Sequence, residues 1–229
     1  MSEYIDLAYP VYDKMPVYPG LPEVEVIPQE DMEAGDNWNG SVVTTYTHAG
    51  THCDAPFHYD KNGRTIDQLP ISSFVYKKPV LVNTPYKENY KVTVDDLKSV
   101  GDDLYKAEII FLNTGSYKFR DKDFGKYVSN FPSLSPEAAL FIRKELPNVK
   151  AVAIDTISIE DLAVGPETNF AVHNGLLNET NFDERSIVIF EDYNPKPILD
   201  KKLISAVAAP LRIKNRDGSP VNIVVEYEN

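Results

Sequence analysis

The stretch S-P-E-A-A-L-F-I-R-K-E-L-P-N-V-K-A-V-A-I-D-T, Ser135 to Thr156, decides the fold. Ser135 is a helix N-cap residue, Pro136 belongs in the first turn where a missing N–H costs nothing, and Pro147 stops the helix. The chain then passes directly into V-K-A-V-A-I-D-T, a continuous apolar run of the kind buried on both faces of a sheet. Upstream, A-E-I-I-F-L-N-T (Ala107 to Thr114) is a second such run. Strand, helix and strand between Ala107 and Asp155 predict a crossover unit.

Outward from this unit, P-V-L-V-N (Pro79 to Asn83) and S-I-V-I-F-E (Ser186 to Glu191) are further strands. T-V-D-D-L-K-S-V, from Thr93, opens as a helix, with Thr as cap and aspartates in the first turn. E-V-E-V-I (Glu23 to Ile27) alternates like a half-buried strand, and S-V-V-T-T-Y-T-H (Ser41 to His48) is β-branched and strand-like. Three prolines exclude a regular helix from K-M-P-V-Y-P-G-L-P (Lys14 to Pro22). The closing P-L-R-I-K-N-R-D-G-S-P-V-N-I-V-V-E-Y is expected to form a hairpin with N-R-D-G-S-P as its turn. The expectation is an α/β protein of mixed strands and few helices, one domain over residues 1–229.

The composition is that of a globular protein, 42% hydrophobic and 25% charged, with a net charge of -12. Such acidity argues against nucleic-acid binding, which relies on a basic footprint, and against anionic membrane surfaces. No apolar run approaches the ~20 residues of a membrane span. The start M-S-E-Y-I-D-L lacks a basic region followed by an apolar one, so a cytoplasmic location is expected. A single cysteine, Cys53, excludes an internal disulfide and a four-cysteine zinc site.

Three of the four histidines fall within T-H-A-G-T-H-C-D-A-P-F-H-Y, Thr47 to Tyr59. Gly50 and Pro56 argue against a helix there. In an uninterrupted strand His48 and Asp54 would share a face but lie about 20 Å apart, at ~3.3 Å per residue. A bend at Ala49-Gly50 is therefore needed to bring His48, His52 and Asp54 to one ion, while Cys53 points the other way. Two histidines and a carboxylate suit zinc, manganese or ferrous iron. His58 is either a fourth ligand or a general acid/base. Glu191, at the end of an apolar strand, is either a solvated terminus or a pocket residue, and His173 taken alone is unremarkable.

H-A-G-T-H-C-D-A-P-F-H resembles the H-x-G-T-H-x-D-x-P-x-H signature of the cyclase-like metal-dependent hydrolases, which include bacterial kynurenine formamidase and isatin hydrolase. M-P-V-Y-P-G, L-N-T-G, L-S-P-E-A-A, I-D-T-I-S-I, H-N-G-L-L and D-G-S-P-V extend the resemblance over most of the chain. The resemblance implies a swivelling β/β/α fold and a homodimer or homotetramer. It implies a first ion on His48, His52 and Asp54, with Asp54 bridging to a second held by His173 and Glu191. One or two divalent ions are expected, zinc ahead of manganese, with His58 as the acid/base. The spacing from His173 to Glu191 is longer than the family pattern, which leaves Glu179 and Glu184 as substitutes for Glu191. Tyr18 stands where the formamidases carry a substrate-binding tryptophan. It offers a flat face to an aromatic or cyclic substrate or, alternatively, only packs under the proline-rich segment. Trp38 either lines the pocket or staples a loop.

The implied reaction is hydrolysis of a small amide or lactam by a metal-activated water. A lactone hydrolase or cyclase of the same family is the nearest alternative. A non-haem iron oxygenase would use the same two-histidine, one-carboxylate triad, and a non-catalytic metal-binding module would keep the ligands alone. A serine hydrolase lacks its G-x-S-x-G elbow here.

Overall fold

A computed structural model describes residues 2–228. In chain order the elements are β1 (Glu3–Asp6), β2 (Glu25–Glu30), β3 (Gly40–Thr44), β4 (His52–Asp54), β5 (Val75–Tyr76), β6 (Pro79–Asn83) and β7 (Lys91–Val92). There follow α1 (Val94–Lys98), β8 (Ile109–Asn113), α2 (Tyr117–Arg120), α3 (Phe124–Val128), β9 (Ser133–Leu134) and α4 (Pro136–Glu145). The last third holds β10 (Ala151–Ile154), α5 (Ala171–Leu177), β11 (Val188–Glu191), β12 (Lys202–Pro210) and β13 (Gly218–Glu228).

The crossover unit forms as its sequence predicts. β8 and β10 pair in parallel, Ile109 opposite Ala151, with α4 between them. The Ser135 hydroxyl accepts from Ala138 N at 3.1 Å, capping α4 over Pro136. β6 and β11 extend the parallel set on either side, giving the order β6, β8, β10, β11. Antiparallel β4, β13, β12 and β5 then continue the same sheet, and β1 pairs with β13. Because only Lys77 and Lys78 separate β5 from β6, the two ends of the sheet are held close and it nearly closes on itself. This is a mixed α/β architecture with few helices. Among the described residues no helix is long and apolar enough to cross a membrane.

Period-two alternation sorts the parallel strands between two cores. Ile110, Leu112, Val152, Ile154 and Ile189 pack with the buried residues of α4 and α5. Phe111, Ala153, Phe190 and Cys53 face the other way, against Ile223 and Val225 of β13. Hence His52, Asp54 and Glu191, which flank Cys53 and Phe190 in sequence, project on the α5 side of the sheet.

Three expected strands have different limits, the Glu23–Ile27 strand running instead from Glu25 to Glu30. The Ser41–His48 strand stops at Thr44 and pairs only with β2, leaving His48 in a turn. The first arm of the terminal hairpin is Lys202–Pro210, not Pro210–Lys214. Proline has no N–H to donate to a ladder, and the chain leaves the sheet there.

Candidate metal and catalytic site

Gly50 takes φ 65, the left-handed region open to glycine, and turns the chain between His48 and β4. A Cβ there would also lie 2.5 Å from Met15 Cε. β4 then runs antiparallel between β11 and β13, placing His52 opposite Glu191 and Asp54 opposite Gly218. Residues opposite each other share a face, so His52, Asp54 and Glu191 form one cluster. All three are buried, as is His173 on α5.

Hydrogen bonds orient each ring. His52 Nδ1 donates to Gly50 O at 2.8 Å, which turns Nε2 inward. His173 Nδ1 lies 2.7 Å from Glu160 Oε2, and the same carboxylate accepts from the backbone N–H groups of Val172 and His173. Glu191 Oε1 accepts from Ile159 N at 2.7 Å. Each inward nitrogen thus has its partner on the far side of the ring, the usual support of a ligating histidine.

The inward atoms are spaced as ligands are. His52 Nε2 is 3.3 Å from Glu191 Oε2 and 3.4 Å from Asp54 Oδ1. His173 Nε2 is 3.4 Å from Glu191 Oε1 and 3.8 Å from Asp54 Oδ2. A tetrahedral ion with bonds of 2.0–2.2 Å sets its ligands about 3.4 Å apart. His52 Nε2 and Asp54 Oδ2 are moreover buried without a hydrogen bond, an arrangement that a cation would satisfy. The residues therefore fit a divalent metal ion.

His48 is engaged differently. Its Nδ1 is 2.7 Å from Asp54 Oδ1 and its Nε2 2.6 Å from Asp217 Oδ2. The His58 ring stacks on it with centroids 4.0 Å apart, and His58 Nδ1 is 3.4 Å from the same Asp217 oxygen. The ligand atoms accordingly fall into two groups that share Asp54, one with His52 and Glu191, the other with His48 and His58. His48 and His52, expected on one ion with Asp54, both reach Asp54 Oδ1, at 2.7 and 3.4 Å, and their rings stand edge to face at 5.1 Å.

Burial favours the neutral form of these histidines, but the carboxylates outweigh it. His52 is held well above its usual range by Asp54 and Glu191, and His173 is raised to about 9 by Glu160 and Glu191. Against burial and the nearby Asp54 charge, His173 and His52 lower Glu191 to about 2. Without a metal, protons on the rings balance the carboxylates. A divalent ion would take over that role and displace them.

A pocket of about 150 Å³ opens onto the cluster, lined by His58, Tyr18, Leu21, Tyr46, Ile157 and Leu162. Tyr18 is half-buried there, whereas Trp38 is 60% exposed and does not line it. A larger cavity, about 540 Å³, lies behind Glu160 and holds no histidine. Of the substitutes for Glu191, Glu179 is committed to Arg64 at 2.6 Å and Glu184 is exposed outside the cluster.

Two site residues escaped the sequence reading. Asp217 was expected only to shape a turn, and Glu160 carried no signal beyond following I-D-T-I-S-I. Both depend on contacts across more than ten residues, His48–Asp217 being 169 apart.

Comparison with known proteins places the chain in a family and matches its fold. The family model described as "Putative cyclase" matches residues 5–161. Kynurenine formamidase of Geobacillus thermodenitrificans is 25% identical over 221 residues, 96% of each chain. An isatin hydrolase bound to the product analogue thioisatinate superposes with a TM-score of 0.83 at 17% identity, covering 100% of this chain and 93% of the other. A predicted metal-dependent hydrolase from Bacillus stearothermophilus gives 0.71 at 21% identity, over 99% and 98%. A family model spanning more than half the residues, with the histidine-rich segment inside the match, makes this chain a member of the cyclase family.

Proposed function

We propose that the protein is a metal-dependent hydrolase that cleaves the C–N bond of a small amide or lactam. The observation that carries this is the convergence of His52, His173, Asp54 and Glu191, at ligand-to-ligand spacing, beside His58 at the floor of an aromatic-walled pocket. The kynurenine formamidase and isatin hydrolase relatives support the same bond type and a small aromatic or cyclic substrate. The extra donors at His173 and Glu191 also disfavour the oxygenase reading, which needs open coordination sites.

In this reading His52, His173, Asp54 and Glu191 hold one ion, zinc ahead of manganese, and His48 is the further ligand if a second is bound beside Asp54. When bound, the ion polarises the scissile carbonyl and lowers the pKa of an attacking water. His58 carries the proton from that water to the leaving nitrogen, and Asp217 holds its ring at Nδ1. Tyr18, Tyr46 and Leu162 clasp the flat face of the substrate. The pocket is smaller than the 300–1,000 Å³ of drug-sized sites, which suits a single substituted or fused ring.

We further infer a homodimer or homotetramer. Its support is the β2–β3 ribbon, which leaves Ile27, Val42 and Val43 about half exposed, and light scattering in solution reads it directly.

Turnover of N-formylkynurenine, isatin and small lactones, with metal analysis of the same preparations, tests the reading. His52→Ala should lose both metal and activity. His58→Ala should keep the metal and lose activity by 100-fold or more. Wild-type rates in the His58 variant would remove its assigned role, and no hydrolysis of any of these substrates would count against the function.

A further inference from the structure

Directly after Glu191 the chain enters a buried charge cluster that takes no part in the chemistry above. Asp192, 1% exposed, has φ 53, a left-handed conformation that costs a non-glycine residue energy unless its surroundings enforce it. Here they do. Its carboxylate accepts from Arg120 Nε at 2.6 Å, Arg120 Nη2 at 2.9 Å and the Tyr127 hydroxyl at 2.6 Å. Its N–H donates to Thr156 O at 2.9 Å, and its carbonyl accepts from the Thr51 hydroxyl at 2.5 Å. Tyr9 covers the guanidinium at 3.8 Å, so Arg120 is 2% exposed.

A buried ion pair is weak evidence for stability, because desolvation offsets much of its attraction. The partners of Asp192 suggest a different purpose. Thr51 immediately precedes His52, and Asp192 immediately follows Glu191. Thr156 begins the loop whose Ile159 N–H holds Glu191 and whose Glu160 holds His173. The Asp192 backbone, held in its left-handed turn by the grip of Arg120 and Tyr127 on the side chain, thus ties together the three segments that aim the ligands.

We propose that Asp192, gripped by Arg120 and Tyr127, is a positioning residue that sets the geometry of the metal centre by locking the Thr51, Thr156 and Glu191 segments to one another. This rests on the reading of His52, His173, Asp54 and Glu191 as ligands. The double variant Arg120→Met with Asp192→Asn removes both charges, leaves neither buried alone, and keeps a side chain that tolerates the left-handed backbone. Zn²⁺ affinity is measured by competition with a chromophoric chelator, and the visible spectrum is recorded with Co²⁺. The double variant should bind Zn²⁺ about 10- to 100-fold more weakly, the usual loss when the support of a ligand is removed. Its Co²⁺ bands should shift while its metal-free melting temperature stays near wild type.

Wild-type affinity and spectrum would overturn the proposal and leave the cluster a fold element only. Should the double variant fail to fold, Tyr127→Phe removes one donor and spares the ion pair. It should weaken Zn²⁺ by about 5-fold, the worth of one hydrogen bond, and unchanged affinity would overturn the proposal. Glu191→Gln separates the two levels. It should lose most Zn²⁺ binding, and if it does not, the ligand assignment fails and the positioning role with it.

Discussion

Gly218 shows how closely the site is built at the scale of single residues. It stands opposite Asp54, and a Cβ there would lie 2.5 Å from Cys53 O and 2.9 Å from His48 Cε1. The Cys53 carbonyl belongs to a central strand and cannot withdraw. Gly218→Ala should therefore cost about 1–3 kcal/mol and displace His48, read as a lower melting temperature and a weaker metal affinity. That His48, His52, Asp54 and His58 come together was legible because they crowd into eleven residues around a glycine and a proline. Asp217 was not, since an Asp-Gly pair between two strands reads first as a turn. Only the 54–218 pairing reveals that this turn closes over His48.

At the scale of elements, α4 and the strands around it follow local rules. Ser135→Ala removes the hydroxyl that caps Ala138 N and should lower stability by about 1 kcal/mol, checked by urea unfolding. Metal affinity should be unchanged, because α4 supplies no ligand. β12 followed those rules less well. K-L-I-S-A-V-A-A-P is rich in alanine, a weak strand former, and its place is set by eight register partners on β13. The early end of β3 has a similar cause. Residues after Thr44 leave the ribbon because the turn through His48 must reach β4, a demand that β-branched composition does not record.

At the scale of the molecule, the buried histidines couple stability to pH and to metal. His173 titrates near 9 in the folded protein against 6.5 unfolded, and His52 is raised in the same direction. The contribution of His173 is fully present below pH 6.5 and is lost as pH rises through 9, and that of His52 is likewise lost on the alkaline side. The metal-free protein should therefore melt at progressively lower temperature between pH 6.5 and 9. With Zn²⁺ bound this decline should be abolished, because the ion replaces the protons and competes better as they become scarce. Thermal melts with and without a chelator check both. A metal-free melting temperature that rises across this range would refute the proton-for-metal exchange.

By itself the sequence determined the crossover unit, the bend at Gly50, the opposite facing of Cys53 and the crowding of three histidines, because each depends on neighbours within a few turns or a few strand residues. The tertiary structure alone decided which of those histidines stand together. β4 lies between β11 and β13, so His52 meets Glu191 while His48 meets Asp217. It likewise decided that Glu160 backs His173 and that Asp192 binds three segments into one frame. Those contacts join residues far apart in the chain, and only the pairing of distant strands under a shared core brings them within hydrogen-bonding distance.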